Sequence, residues 1–191
     1  REHALAWGLN HSSKLDTLYI APGNAGMEAL GECVELPISD HAAVTAFCKD
    51  KNIQLVIVGP EQPLVDGLAD DLRSANISVF GPSAKAAQLE GSKAFAKQQM
   101  EKYGVPTAAY QSFSAYQLEQ AIAYVKEQNS YPVVIKADGL AAGKGVIIAE
   151  NEPEAIEAIQ SMISDRAFGD AGSRLVIEEF MEGEEVSVFA L

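Results

Sequence analysis

Apolar runs and helical patterns alternate along the first ninety residues of the chain. Four short apolar runs, at 17–21, 34–38, 53–58 and 77–80, are typical of strands. Between them, apolar residues recur with helical spacing at 2–12, 40–51 and 64–75. Residues 54–59 are almost all apolar, as in a strand buried on both faces of a parallel sheet. This alternation predicts a doubly wound parallel sheet, whose ligands bind at the carboxyl ends of the strands.

The pattern changes at about residue 83. Helices are predicted at 83–90 and 92–103, and the sequence Gly104-Val-Pro106 then indicates a stop and a linker. Further helices are predicted near 114–129 and 153–164, with strands at 131–137, 146–150, 174–180 and 185–191. The change divides the chain into a predicted N-terminal domain, 1–91, and a second domain, 92–191.

Composition and charge exclude several classes of protein. Of the 191 residues, 48% are hydrophobic and 21% are charged, which is typical of a folded domain rather than a disordered one. The sequence has no apolar run of about 18 residues and no signal-peptide pattern at its start. The net charge of −13 argues against binding to nucleic acid or to an anionic membrane surface. Two cysteines cannot form a disulfide framework, so we expect a cytoplasmic protein.

Neither end of the sequence has the pattern expected of a natural chain terminus. The first residues already have a helical pattern and lack an initiator Met, and the last residues alternate like a strand without a turn signal. We therefore expect the chain to be a segment of a longer protein.

A glycine-rich loop follows the predicted strand at 131–137. Glycines at 139, 143 and 145 let the backbone approach a ligand closely, and Lys144 adds a positive charge. A Walker A loop does not fit, because only three residues separate Gly139 from Gly143 and Gly145 replaces the Ser or Thr that would hold Mg²⁺. Since a strand pattern follows, we expect a strand–loop–strand flap over phosphates. A plain flexible hairpin is the alternative.

Two lysines and an acidic segment are further candidates for a nucleotide site. Lys136 lies within a predicted strand, so its ammonium requires an anion, either a phosphate or a nearby carboxylate. Lys93 begins a helix, where the dipole disfavours a cation, and simple solvation is its alternative. The last 42 residues carry eleven acidic and two basic side chains. The simplest interpretation is that most of these side chains form a solvated face. Within them, the segment after the strand at 174–177 could contact a purine edge and ribose hydroxyls.

Seven sequence blocks then occur in one order along the chain. They include Arg-Glu-His-Ala-Leu-Ala-Trp, Ala-Pro-Gly-Asn-Ala-Gly, Val-Gly-Pro-Glu-x-Pro-Leu-Val, Phe-Gly-Pro-Ser-Ala, Leu-Glu-Gly-Ser-Lys-Ala-Phe, the glycine-rich loop, and Ala-Phe-Gly-Asp-Ala-Gly. Together they resemble the phosphoribosylamine–glycine ligase family of the ATP-grasp superfamily, and the resemblance covers essentially the whole chain.

The resemblance implies a fold and an activity. The fold would be α/β, with a doubly wound parallel-sheet N-terminal domain followed by an incomplete ATP-grasp domain whose α+β flap subdomain spans about 105–180. The activity would be a step of purine biosynthesis, in which ATP activates glycine as an acyl phosphate for attack by 5-phosphoribosylamine. The implied cofactors are ATP and Mg²⁺ (or Mn²⁺), and the implied partners are the small-molecule substrates glycine, 5-phosphoribosylamine and ATP. The oligomeric state stays open.

The resemblance also implies site residues, although it identifies no catalytic residue in this chain. The implied nucleotide-contacting residues are Lys93, Lys136, Gly139, Gly143, Lys144, Gly145, Glu178, Glu179, Phe180, Met181 and Glu185. The implied phosphoribosylamine-contacting residues are Arg1, Glu2, His3, Gly23, Asn24, Gly59, Pro60 and Glu61.

Two departures from the family limit what this segment can do. The family's opening strand and glycine turn would precede Arg1, and the ligands for Mg²⁺ and glycine would follow Leu191. We therefore expect the segment alone to be inactive. The alternatives are another ATP-grasp ligase, such as a carboxyaminoimidazole ribonucleotide synthase or a biotin carboxylase, or a non-catalytic nucleotide-binding module. A dinucleotide-dependent oxidoreductase lacks support, because the sequence contains no G-x-G-x-x-G.

Overall fold

The computed structural model describes residues 1–140, 145–164 and 174–188. The chain divides into two compact units, one over Arg1–Gln88 and one that begins at Leu89. No helix among these residues has both the length and the apolar character needed to cross a bilayer.

The first unit alternates short parallel strands with helices. Strand β1 pairs with β2, and β3 pairs with β4, in both cases in parallel. The parallel arrangement is as the sequence predicts, but within the described residues the strands form two separate pairs rather than one sheet. The elements in chain order are α1 (Glu2–Asn10), β1 (Tyr19–Ile20), β2 (Glu32–Cys33), α2 (His41–Asp50), β3 (Leu55–Ile57), α3 (Glu61–Val65), α4 (Leu68–Ser74), β4 (Ser78–Phe80) and α5 (Ala84–Gly91).

Two predictions for the first unit are wrong. The strand expected at 34–38 is β2 at Glu32–Cys33, because Pro37 has no N–H to donate to a ladder and Asp40 already caps α2. The helix expected at 64–75 is two helices, since Gly67 adopts a left-handed φ of 96° between α3 and α4. The larger core cluster of this unit lies between α2, α4 and the β3–β4 pair and consists of Val44, Cys48, Leu68, Leu72 and Ile77. A smaller cluster consists of Leu64, Ala69 and Ala87.

The second unit contains a four-stranded antiparallel sheet in the order β5-β8-β6-β7. Its elements are α6 (Lys93–Tyr103), β5 (Tyr110–Ser114), a 3-10 turn (Ala115–Gln117), α7 (Leu118–Gln128), β6 (Val133–Ala137), β7 (Val146–Ala149), α8 (Glu152–Ser164) and β8 (Arg174–Glu179).

Strand β5 is absent from the sequence prediction. The helix expected from 114 begins at Leu118, because Ser114 and Gln117 form a capping box around the preceding turn. A strand expected at 185–191 is not observed over 185–188, and 189–191 lie outside the described residues.

The two faces of this sheet have different surroundings. One face packs against α7 and α8 around Ile135, Ile159, Met162, Leu175 and Ile177, all fully buried. The opposite face, here called the open face, carries Val134, Lys136, Val146, Ile148, Val176 and Glu178, since cross-strand partners point to the same side. Helix α6 packs against the β5–β8 half of the open face. The β6–β7 half stays accessible, with Val146 44% and Ile148 48% exposed.

Candidate functional site

Two lysines share one buried carboxylate on the open face. Glu178 is 6% exposed, and its Oε2 lies 3.0 Å from both Lys136 Nζ and Lys97 Nζ. Lys136 reaches this oxygen from β6, whereas Lys97 reaches it from α6. The sequence left two anions possible for Lys136, and the structure pairs it with a carboxylate. Lys97, Lys136 and Glu178 are here called the lysine cluster. Because two ammonium groups face one carboxylate, this cluster carries a net positive charge in a chain whose net charge is −13.

A third lysine stands at the start of α6, beside the glycine-rich loop. Lys93 Nζ donates to the carbonyl of Gly139 over 2.8 Å, and burial lowers the pKa of Lys93 while nearby Asp138 opposes that shift. Asp138 accepts from Ser92 Oγ and from the backbone N–H of Ala94, so it caps the same helix. The loop and the first turn of α6 are therefore joined, and the Lys93 ammonium is partly desolvated rather than freely solvated.

The glycine-rich loop joins two paired antiparallel strands, as the sequence predicts for a flap rather than a P-loop. Ala137 N–H donates to the buried Gly145 carbonyl over 2.7 Å, which closes the base of the loop. Gly139 has a φ of 88°, a conformation that glycine adopts without strain. Gly143 and Lys144 lie outside the described residues.

Strand β8 ends at the edge of this cluster. The Glu179 carboxylate turns toward β5 and accepts from the backbone N–H of Ala109 at 3.0 Å, so it does not join the lysines. After it, Phe180 is 39% and Met181 65% exposed, and Glu185 is also exposed. Residues 180–188 make no backbone hydrogen bond to another described residue. Directly after the lysine cluster, the backbone is therefore not paired with any other described strand or loop.

Sequence reasoning missed three residues that the fold brings to this site. Lys97 lies one helical turn after Lys93, and that i, i+4 spacing was the available signal. Asp138 stood within the glycine-rich loop without being singled out. Ile148 extends the open face beside Val134, its cross-strand partner. The last two depend on loop and strand pairing, which local sequence does not reveal.

In the first unit, the predicted substrate residues form two small groups. The Arg1 guanidinium binds both carboxylate oxygens of Glu61, one of them at 3.1 Å, and its Nε donates to Glu2 at 2.9 Å. These hydrogen bonds lower the pKa of Glu61 and of Glu2. Gly59 lies against Glu2, since a Cβ there would come 2.9 Å from Glu2 Cγ. Pro60, the other member of this group, is the N-cap residue of α3.

The second group contains His3, Asn24 and Gly26. Asn24 Oδ1 accepts from the Gly26 N–H at 2.9 Å, and a Cβ on Gly26 would lie 3.3 Å from His3 Cε1. Gly23 belongs to the same loop and has a φ of 78°. Assignment of either group to a substrate stays a prediction.

Replacement of Gly23 by alanine should be more destabilising than a left-handed φ alone explains. The added Cβ would lie 2.5 Å from Cys33 Sγ and 3.0 Å from Cys33 Cβ, so either Cys33 or the loop at 22–26 must shift. Gly104 is the matched control, because its φ is 66° with nothing within 4 Å. We expect Gly104→Ala to cost about 1 kcal/mol and Gly23→Ala about 1 kcal/mol more in urea unfolding of the full-length protein. Equal costs for the two variants would contradict the packing argument.

Two other features of the described residues bear on the choice of site, the groups that could hold a metal and a groove along α2. Across residues 1–140, 145–164 and 174–188, no three His, Cys, Asp or Glu side chains are placed to hold a metal ion. An open groove of about 480 Å³ lies along α2 and is lined by His41, Thr45, Lys49, Asp71 and two alanines. His41 pairs with Asp71 at 2.6 Å within it, and its other walls are mainly apolar. The lysine cluster has the more specific chemistry.

Comparisons with known proteins agree across the whole chain. Residues 1–90 match the family described as phosphoribosylglycinamide synthetase, N domain, and residues 91–191 match its ATP-grasp (A) domain. The phosphoribosylamine–glycine ligases of Mesorhizobium japonicum and Vibrio cholerae are 57% and 52% identical over all of this chain. The chain spans 44% of the length of each relative.

Solved structures show the same fold. The phosphoribosylamine–glycine ligase of Thermotoga maritima, 34% identical, superposes with a TM-score of 0.72 over 96% of this chain and 42% of its own. A biotin carboxylase–β-γ-ATP complex from Campylobacter jejuni, 27% identical, has a TM-score of 0.60 over 75% of this chain and 32% of its own. The N5-carboxyaminoimidazole ribonucleotide synthetase of Thermus thermophilus, 24% identical, shares the fold with a TM-score of 0.63 over 95% of this chain and 44% of its own.

Proposed function

The chain belongs to the phosphoribosylglycinamide synthetase family, and from this we propose that it supplies the N domain and the first part of the ATP-grasp domain of a phosphoribosylamine–glycine ligase. Such an enzyme joins glycine to 5-phosphoribosylamine with conversion of ATP to ADP and phosphate. The observation that carries the proposal is the lysine cluster on the open face, with Lys93 beside it at the glycine-rich loop. These positive charges lie together in a chain whose net charge is negative.

Groups suited to each part of ATP lie on or beside the open face. Lys93 and Lys136 supply ammonium groups for phosphate oxygens, and the backbone N–H groups at Gly139 and Gly145 border the same loop. The exposed sides of Val146 and Ile148 offer an apolar surface for a purine ring. Beyond it, the backbone at Phe180 and Met181 can form hydrogen bonds with the ring edge, and Glu185 with ribose hydroxyls.

This arrangement suits activation of a carboxylate. A carboxylate oxygen of glycine attacks the γ-phosphorus of ATP, the bond to the β-phosphate oxygen breaks, and ADP leaves. The amine of 5-phosphoribosylamine then attacks the acyl carbon, loses a proton and expels phosphate. The lysines hold the phosphates during the first step. The glycine-rich loop excludes water that would hydrolyse the acyl phosphate.

Among the residues that the structure describes, no three His, Cys, Asp or Glu side chains are placed to hold Mg²⁺. The loops at 22–26 and 59–61 of the first unit contact the phosphoribosylamine, and Arg1 fixes the orientation of Glu61 for this purpose.

Release of ADP by the full-length protein tests this function. We expect release to require both glycine and 5-phosphoribosylamine, with glycinamide ribonucleotide formed in equal amount. Bicarbonate, D-alanine and L-alanine serve as competing substrates in parallel assays. Release that depends on bicarbonate instead of glycine would assign the chain to a different ATP-grasp ligase, and no release with any of them would refute ligase activity.

A further inference from the structure

Lys97 is the most buried lysine of the cluster, and each of its contacts is internal. It is 8% exposed. Its Nζ lies 3.0 Å from Glu178 Oε2, donates to Thr107 Oγ1 at 2.7 Å and donates to the Ala108 carbonyl at 3.3 Å. Two of the three N–H donors of its ammonium group thus bond to Thr107 and Ala108, and the ion pair with Glu178 holds the group on its remaining side. Lys97 is therefore held by internal partners and is poorly placed to contact a ligand.

Lys136 is more exposed than Lys97 and makes fewer internal contacts. Its side chain is 27% exposed, and its hydrogen bond within the described residues goes to Glu178 alone. It stands on the uncovered half of the open face, next to Val146 across the sheet. Its ammonium is therefore the one that can turn to an incoming anion, while that of Lys97 stays in place.

Turning Lys136 away from Glu178 has an electrostatic consequence. A carboxylate that is 6% exposed and loses its only counter-ion is strongly destabilised, because burial disfavours an unpaired charge. With Lys97 in place, Glu178 keeps one ion pair at 3.0 Å when Lys136 moves. The ammonium group of Lys136 is then available to bind a phosphate.

We propose that Lys97 is a positioning residue, the fixed counter-ion of Glu178 that leaves Lys136 free to bind the phosphates of a nucleoside triphosphate. This inference rests on the proposed nucleotide site. It predicts a role for Lys97 in affinity although Lys97 itself never touches the nucleotide.

A purely structural role is the competing explanation. Lys97 also ties α6 to Thr107 and Ala108, and loss of that tie would weaken any ligand site through misplacement of the helix. The two explanations differ in their dependence on Glu178. A counter-ion is needed only while residue 178 carries a charge, whereas a structural tie is needed in either case.

A double-mutant cycle in the full-length protein separates them. The dissociation constant of the magnesium complex of a non-hydrolysable ATP analogue is measured by calorimetry for wild type, Lys97→Met, Glu178→Gln and the double variant. We expect Lys97→Met to weaken binding about tenfold in the wild-type background and by less than about twofold in the Glu178→Gln background. Lys97→Arg, which keeps the charge, should bind within about threefold of wild type.

Each outcome decides the matter. Equal loss in both backgrounds, or no loss in either, overturns the counter-ion role. If Lys97→Met does not fold, the proposal requires that adding Glu178→Gln restores folding, and failure to do so also overturns it. If wild type itself does not bind the analogue, the nucleotide site is refuted and this inference with it. Normal wild-type binding with an unaffected Lys97→Met refutes the inference alone.

Discussion

Replacement of Glu178 by alanine should lower the free energy of unfolding of the full-length protein by about 3–5 kcal/mol, measured by urea denaturation. The substitution removes the carboxylate that both Lys97 and Lys136 contact at 3.0 Å. Lys136 can turn to solvent, but Lys97 is 8% exposed and remains as a buried charge without its ion pair. The free-energy cost of that unpaired buried charge is larger than the cost of the small cavity that the missing side chain leaves.

Glu179→Ala is the matched control for this experiment. It makes the same change in charge one residue away, on an exposed side chain whose carboxylate, among the described residues, accepts one hydrogen bond, from Ala109 N–H. Its cost should be about 1 kcal/mol. A second comparison, Glu178→Gln, keeps the volume and should cost less than alanine. Equal destabilisation by Glu178→Ala and Glu179→Ala would show that the buried lysine cluster is not important for stability.

Replacement of Lys136 by methionine should weaken binding of a non-hydrolysable ATP analogue by about 1–3 kcal/mol, which is roughly 5- to 150-fold. Methionine keeps much of the aliphatic stem and removes the ammonium group. Glu178 retains Lys97 as its partner, so the fold should persist while the contact to phosphate is lost. Calorimetry on the full-length protein measures the change directly.

Lys126→Met controls for the loss of a surface positive charge. Lys126 lies on α7, behind the sheet, and its Nζ is 3.9 Å from Glu152 Oε1. Its replacement should leave the affinity for the analogue unchanged within about twofold, since its charge is exposed and screened. An unchanged dissociation constant for Lys136→Met would remove Lys136 from the proposed site.

Strongly periodic segments were predictable from the sequence, and elements defined by distant pairing were not. The β6–β7 hairpin is recognisable because β-branched residues flank a glycine-rich loop. Strand β5 is not, since only Phe113 of its five residues is buried and its ladder partner β8 lies at least sixty residues away. The break at Gly67 depends on one glycine taking a left-handed conformation, which helical periodicity does not reveal.

The residues of the candidate site were also predictable only in part. Lys93, Lys136 and the loop glycines were suggested by local pattern and by family resemblance. The carboxylate that Lys97 shares with Lys136 belongs to Glu178, and the pairing exists only because α6 crosses the end of β8. Helical spacing could place Lys97 on the same face as Lys93, but not identify its partner. The family resemblance therefore gave the chemistry, and the fold shows how the charges are balanced.

A crystal structure of the full-length protein with the magnesium complex of a non-hydrolysable ATP analogue tests the central claim most directly. The account predicts triphosphate oxygens within hydrogen-bonding distance of Lys136 and Lys93, the purine ring against Ile148, and Glu178 still paired with Lys97. An analogue bound away from the open face of the four-stranded sheet, with Lys136 still paired with Glu178, would contradict it.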